Sequence, residues 1–206
     1  MNAGYFRNQA TGGGKRQRTR AALLDATVRL VASKGMEALK ISDITDAAEL
    51  ANGTFYNHFT DKDEVLIEAA YGIAAEISRQ LDADMTGIDD APSRVVTATR
   101  NFISIVLQKP DWAALILGGA RHLPHLGEDA SQYLRSDLER GVAQGKFDVT
   151  VTNYLMSQIL ALITVAITMQ LNKGTDTAMT DQICENILRL LGLTPAKARR
   201  VVEAMR

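Results

Sequence analysis

The chain has 206 residues, 46% of them hydrophobic and 23% charged, with four prolines; that balance builds a sizeable globular core and excludes wholesale disorder, collagen-like repeats and low-complexity scaffolds. One cysteine, Cys184, excludes an internal disulfide framework and a Cys-rich zinc site, and fits a reducing compartment. The formal net charge of −1 argues at first sight against a nucleic-acid partner, but the charge is unevenly spread.

Residues 1–60 carry eight basic side chains (Arg7, Lys15, Arg16, Arg18, Arg20, Arg29, Lys34, Lys40) against five acidic ones (Asp25, Glu37, Asp43, Asp46, Glu49). The remainder carries 15 basic against 19 acidic. A positive head therefore sits on an acidic body, an asymmetry that bears on partners rather than on fold.

In chain order, residues 1–14 end in Gly12-Gly13-Gly14 and read as a flexible tail. They lack the apolar core of a secretory signal, and the glycine spacing does not fit a phosphate loop. Beyond them the periodicity is helical throughout, with no useful strand signal, so the expected class is all-α. A first helix is predicted over about 18–34, with Leu23, Ala26, Leu30 and Val31 on one stripe and Gly35 as its stop. A short second helix is predicted over 42–48, and after a tight turn a third begins near Asn52 or Gly53 and ends at Phe59. Thr60 and Asp63 have capping-box spacing for a fourth helix to about residue 84. Pro92 suits the first turn of a fifth, and Pro110 opens a sixth that ends at Gly118-Gly119. A seventh, amphipathic helix is predicted over 128–144. An eighth follows to about residue 172, then a ninth over 180–191, and a last one capped by Thr194-Pro195. Residues 149–172 form an uncharged run of 24, formally long enough to cross a bilayer. Nine of them are polar and no second span accompanies them, so a helix buried on nearly all sides by protein is expected instead of a membrane segment.

Two short helices joined by a tight turn are the arrangement of a major-groove reader. Leu23, Leu30, Ile41, Ile44 and Ala48 would bury Phe55 and Phe59, and so hold the short third helix as a rigid projection. Its other face offers Asn52, Thr54, Tyr56, Asn57 and His58, all able to hydrogen-bond, while Gly53 lets the backbone approach phosphate closely. The run Lys15-Arg16-Gln17-Arg18-Thr19-Arg20 reads either as an arm that touches phosphates or enters the minor groove, or as a solubilising tail.

From about Arg20 to Leu66 the sequence resembles the DNA-binding domain of the TetR family of bacterial transcriptional regulators. The resemblance is carried by Gly53-Thr54-Phe55-Tyr56-Asn57-His58-Phe59, then Thr60-Asp61-Lys62-Asp63-Glu64-Val65-Leu66, and by the upstream Leu23, Ala26, Leu30-Val31, Gly35-Met36 and Asp43-Ile44 spacing. It implies that Asn52, Gly53, Thr54, Asn57 and His58 contact bases and backbone, and that Tyr56 and Lys62 hold phosphates. Lys40 and Ser42 would meet the backbone, and Arg18 and Arg20 belong to the basic arm. Three positions depart from the pattern. Glu49 stands where the family's turn usually has glycine, Ala51 where a serine often caps the recognition helix, and Lys40 where a threonine cap is common.

The resemblance further implies residues 15–61 as the DNA-binding domain. Residues 62–206 would be a helical bundle, joined through the fourth helix, for ligand binding and dimerisation. Phe102, Trp112, His122, Tyr133 and Met156 are candidates to line a largely apolar pocket for a small-molecule effector. The apolar faces of the eighth and ninth helices, through Ile159, Ile163, Ile183, Ile187 and Leu190, suit the four-helix dimer interface of that family. His122 and His125 have no carboxylate or cysteine cluster beside them, so no metal is expected, nor any other cofactor. Cys184 reads as a packed small residue. No catalytic arrangement stands out, and no enzyme activity is expected. The expected molecule is a cytoplasmic homodimeric repressor that binds a palindromic double-stranded operator and is relieved by ligand. A helical interaction protein with a degenerate DNA-binding head is the alternative.

Overall fold

The computed structural model of the chain describes residues 4–122 and 132–206, the side chains of 119–122 excepted. The described residues form helices and no strand. In order these are α1 (Tyr5–Gln9), α2 (Lys15–Lys34), α3 (Ile41–Ala47), α4 (Asn52–Phe55), α5 (Lys62–Asp84), α6 (Ala91–Gln108), α7 (Pro110–His122), α8 (Gln132–Ala143), α9 (Asn153–Lys173), α10 (Thr177–Leu190) and α11 (Pro195–Ala204). Most bounds lie within three residues of expectation. The predicted start of the seventh helix, residues 128–131, lies outside the described residues.

Two compact units divide the chain. One comprises residues 1–74 and 110–127, the other residues 75–109 and 128–206. The first therefore reaches past residue 61 and takes in the α7 segment, and the division falls inside α5.

In the first unit Leu23, Ala26, Ile44, Phe55, Val65, Ala69, Ala70, Ile73 and Ala113 are essentially inaccessible. α2 packs against α3 and α7. The start of α5 differs from expectation by one residue. Asp61, not Thr60, is the cap, its carboxylate accepting the Glu64 N–H at 2.9 Å. Glu64 reaches back to accept both the N–H (2.6 Å) and the hydroxyl (2.8 Å) of Thr60. The expected Asp63 is one position too early to make this reciprocal pair.

The tail expected at residues 1–14 is a correction. Tyr5–Gln9 is helical and packs on α2, because the buried Asp25 carboxylate accepts the N–H groups of Phe6 (2.9 Å) and Arg7 (3.0 Å). Those are donors that the first turn of a helix leaves unpaired.

In the second unit α6 is central, packed by α8, α9, α10 and α11. Two arginines on it fasten the surrounding elements. Arg94 bonds Asp137 at 2.7 Å and the carbonyls of Met85 and Ile88. Arg100 pairs with Asp181 and donates to the carbonyls of Val202 (3.0 Å) and Met205 (2.7 Å). Hydrogen bonds from Arg100 and Arg206 hold the Asp181 carboxyl below its usual range against the opposing effect of burial, which is the larger single influence.

α9 is the one described helix long and apolar enough to span a membrane by length and composition, and 39% of its most apolar stretch is buried in this chain. The expectation of burial on nearly all sides is thus not met within one chain, since Tyr154, Val165, Met169 and Leu171 are exposed.

Candidate nucleic-acid interface

α3 begins on half a capping box. Asp43 accepts the Lys40 N–H at 3.2 Å and pairs with Lys34 Nζ at 3.0 Å; lysine has no acceptor with which to return the bond. Lys40 and Ser42 are both exposed at this end of the helix. α3 ends in a Schellman turn, with Glu49 N–H on the Asp46 carbonyl (3.1 Å) and Leu50 N–H on the Thr45 carbonyl (2.9 Å). Glu49 occupies the left-handed position of that turn at φ 59°, the single positive-φ residue other than glycine among those described. The turn geometry is therefore kept without the usual glycine, at a steric cost.

α4 has no side-chain cap at Ala51 and runs only Asn52–Phe55. The expected continuation to Phe59 is instead a succession of turns, with N–H bonds from Asn57 to Thr54 and from His58 and Phe59 to Phe55. The segment is held from beneath. Phe55 and Phe59 are buried with ring centroids 5.5 Å apart, and Phe55 meets Tyr56 edge-on at 5.6 Å. On the outer side Asn52, Gly53, Tyr56 and Asn57 are exposed, and Thr54 and His58 half-buried. The structure thus brings the expected recognition residues together on one polar surface, over an apolar base that fixes their direction.

His58 Nδ1 is buried and has no hydrogen-bond partner among the described residues. Burial, then the positive charges of Arg16 and Arg20, depress its pKa below 6.5, which favours the neutral imidazole in this chain.

Three basic residues of the expected contact set have partners within the chain. Arg20 is not a free arm residue: it pairs with Glu68, donates to the His58 carbonyl at 2.6 Å, and lies 4.3 Å over the Phe59 ring. It ties α2 and α5 to the end of the recognition segment, a supporting role. Lys62 is half-buried, with Nζ 3.4 Å from the Met36 carbonyl. Arg18 is exposed, but its guanidinium holds the Gly13 carbonyl at 2.5 Å. Lys15 to Arg20 form the first turns of α2, not a flexible arm.

The proposed pocket and dimer residues scatter. Phe102 is half-buried on α6, Met156 is core on α9, and Tyr133 is exposed on α8. Trp112 is buried in the first unit with its ring edge on Tyr5 at 5.5 Å. The His122 side chain and His125 lie outside the described residues. One surface groove of about 410 Å³ lies between α1 and α2, and another of about 390 Å³ beside Arg100 and Gln170. Phe102, Trp112, Tyr133 and Met156 line neither.

Ile159, Ile163, Ile183 and Ile187 are buried inside the single chain, and Leu190 is half-buried. The four isoleucines belong to the intramolecular core of a unit in which α9 and α10 pack on each other and on α6. The exposed stripe of α9 is Tyr154, Ser157, Ala161, Val165 and Met169. Cys184 is buried, and burial pushes its thiol up to about 12. Among the described residues no group of three or more His, Cys, Asp or Glu side chains is placed to hold a metal.

Comparison with known proteins agrees with this geometry. A profile described as "Bacterial regulatory proteins, tetR family" matches residues 23–69. One described as "Tetracyclin repressor-like, C-terminal domain" matches residues 90–204, more than half of the chain. The HTH-type transcriptional repressor KstR2 of Rhodococcus jostii (strain RHA1) is 26% identical over 137 residues, or 62% of this chain and 67% of that one. For the repressor DhaR of Mycobacterium sp. (strain GP1) the figures are 23% over 99 residues and 48% of each, so the chain spans about half of that relative's length. Among solved structures, RolR in complex with the ligand resorcinol superposes with a TM-score of 0.70 at 25% identity, covering 91% of this chain and 94% of that one. FadR from Bacillus subtilis in complex with stearoyl-CoA does so with a TM-score of 0.69 at 17% identity, over 84% and 98%, a likeness of fold alone. The profile matches and the helix-turn-helix surface lead to one conclusion: this chain belongs to the TetR family of bacterial regulatory proteins and is a DNA-binding transcriptional regulator.

Proposed function

We propose that the chain is a cytoplasmic homodimeric repressor that grips a palindromic operator and releases it when a small molecule binds. The observation that carries the reading is the exposed surface of Asn52, Gly53, Tyr56 and Asn57, fixed by the buried Phe55 and Phe59. Asn57 and Asn52 read base edges; Tyr56, Lys40 and Ser42 hold phosphates. Two such surfaces on a two-fold dimer meet half-sites about one helical turn apart, roughly 34–36 Å.

The exposed apolar stripe of α9 supports dimerisation, because small Ser157 and Ala161 between Tyr154 and Val165 let a second helix approach closely. A ligand-relieved mechanism is supported by the small molecule bound to RolR. An effector acts here only by its preference for the geometry that does not fit DNA, and a shift in occupancy from 99:1 to 1:99 needs about 5.5 kcal/mol of differential affinity. α5, which runs from the first unit into the second, is the element through which that preference reaches the recognition surface.

Selection of bound duplexes from a random pool tests the reading. A two-fold symmetric site is expected, whereas no enrichment at low salt refutes it. Light scattering at micromolar concentration is expected to give twice the 22.4 kDa chain mass, and a monomer mass overturns the dimer.

A further inference from the structure

Residues 4–14 form a strap on the DNA-binding unit. At one end the buried Asp25 carboxylate takes the Phe6 and Arg7 N–H groups. At the same end the Phe6 ring lies over Gly72 of α5, where an added Cβ would sit 2.5 Å from a ring carbon. Tyr5 meets Trp112 edge-on at 5.5 Å. At the other end the strap closes on α2: Gly14 N–H bonds Gln17 Oε1 at 3.1 Å, and Arg18 holds the Gly13 carbonyl at 2.5 Å.

This closure places Lys15, Arg16 and Arg18 in the first turn of α2, where there is no acid. Cations at that end oppose the helix dipole, so an isolated helix gains nothing from them. Arg16 lies one helical turn before Arg20 on the same face of α2, and Arg20 donates to the His58 carbonyl at 2.6 Å, so this end of the helix stands beside the recognition segment. We propose that Asp25 is a positioning residue for DNA binding: by fastening the α1 strap it converts Lys15, Arg16 and Arg18 from a loose arm into fixed phosphate contacts. The inference rests on the α3–α4 surface being the DNA-facing one.

Each fixed phosphate contact contributes about 0.9 to the slope of log affinity against log salt, so three contribute about 2.7. The test uses the full chain, a random-sequence 30-base-pair duplex and two ways of releasing the strap. Asp25→Asn weakens its anchor, and Gly72→Ala displaces Phe6 while favouring the α5 helix. Trp112, the single tryptophan, reports release by a red shift in emission, and far-UV circular dichroism reports that the fold is kept. The triple variant Lys15→Ala, Arg16→Ala, Arg18→Ala is then made in the wild-type and released backgrounds. In the wild type it lowers the salt slope by about two to three and weakens binding at 50 mM salt tenfold or more. In the released chains it has little further effect, because the fixed contacts are already gone. Equal losses in both backgrounds, or no red shift in either release variant, overturn the inference while leaving the DNA reading standing. A wild-type chain that binds no duplex overturns that reading and this inference with it.

Discussion

Replacing Glu49 by glycine probes the turn on which the recognition segment depends. Glu49 sits at φ 59° between α3 and α4, and its N–H and that of Leu50 close the Schellman pair on Asp46 and Thr45. A side chain in the left-handed region costs about 1–2 kcal/mol, which glycine removes. Glycine also frees the unfolded chain, at a cost of about 0.4–1 kcal/mol. The net expectation for Glu49→Gly is a stabilisation of about 0.5–1 kcal/mol, or about 1–4 °C in Tm for a chain of this length. Glu49→Ala keeps the Cβ and loses only the carboxylate, so it gains no comparable stability. Thermal unfolding by circular dichroism separates the two, and equal melting temperatures would refute the strain argument. Both variants remove a negative charge beside the DNA-facing surface. Both are therefore expected to bind random duplex more tightly at low salt, with the gain fading as the screening length shortens.

Within the recognition surface, Asn57→Ala is expected to change base preference, whereas Tyr56→Phe weakens all duplexes alike; an equal loss across sequences for Asn57→Ala removes it from base reading. Gly141→Ala drives a Cβ into the Phe147 ring and is expected to destabilise by about 1–3 kcal/mol, visible in a thermal melt; an unchanged Tm would mean the ring yields freely. Cys184, with its thiol raised to about 12 by burial, should react with a disulfide reagent at pH 8 only after denaturation, and equal native and denatured rates refute its packing. For pH, the folded His58 resists protonation, so stability falls as pH drops below 6.5, where the unfolded imidazole takes up a proton. Asp181 has a lowered pKa, so its contribution is full above 3.8 and is lost as pH falls further. His58→Asn is expected to flatten the first limb and Asp181→Asn part of the second, and an unchanged profile in either variant contradicts that assignment.

Much of the DNA-facing site is legible in the sequence because it is local. Two short helices, a tight turn and an apolar base at Phe55 and Phe59 are written within eighteen consecutive positions of the chain, 42–59, and side-chain period alone separates the inner face from the outer, although the second helix stops at Phe55 instead of Phe59. Glu49 is legible as an anomaly, and the structure adds its cost. The intramolecular partners of Arg20 and Lys62 are not legible, because charge marks a residue as basic without saying whether a carboxylate, a carbonyl or an aromatic ring lies within reach. The docked N-terminal helix is missed for the same reason. Its two traces in the sequence are an aromatic pair, Tyr5-Phe6, in an otherwise polar tail, and an acid, Asp25, among the buried residues of α2. Neither has meaning until the two are known to meet.

The sequence by itself determined the all-α class, the order of most elements, the N-terminal helix-turn-helix and the positive head on an acidic body. These follow from periodicity, punctuation and composition, which are properties of neighbouring residues. Tertiary structure alone decided which apolar stripes of α9 and α10 are consumed inside the chain. A stripe of isoleucines announces that it will be buried but not by what, and Ile159, Ile163, Ile183 and Ile187 are covered by their own unit while Tyr154 and Val165 stay exposed. It also decided that residues 4–14 are fastened instead of free, because the carboxylate that caps them lies eighteen and nineteen positions further along the chain.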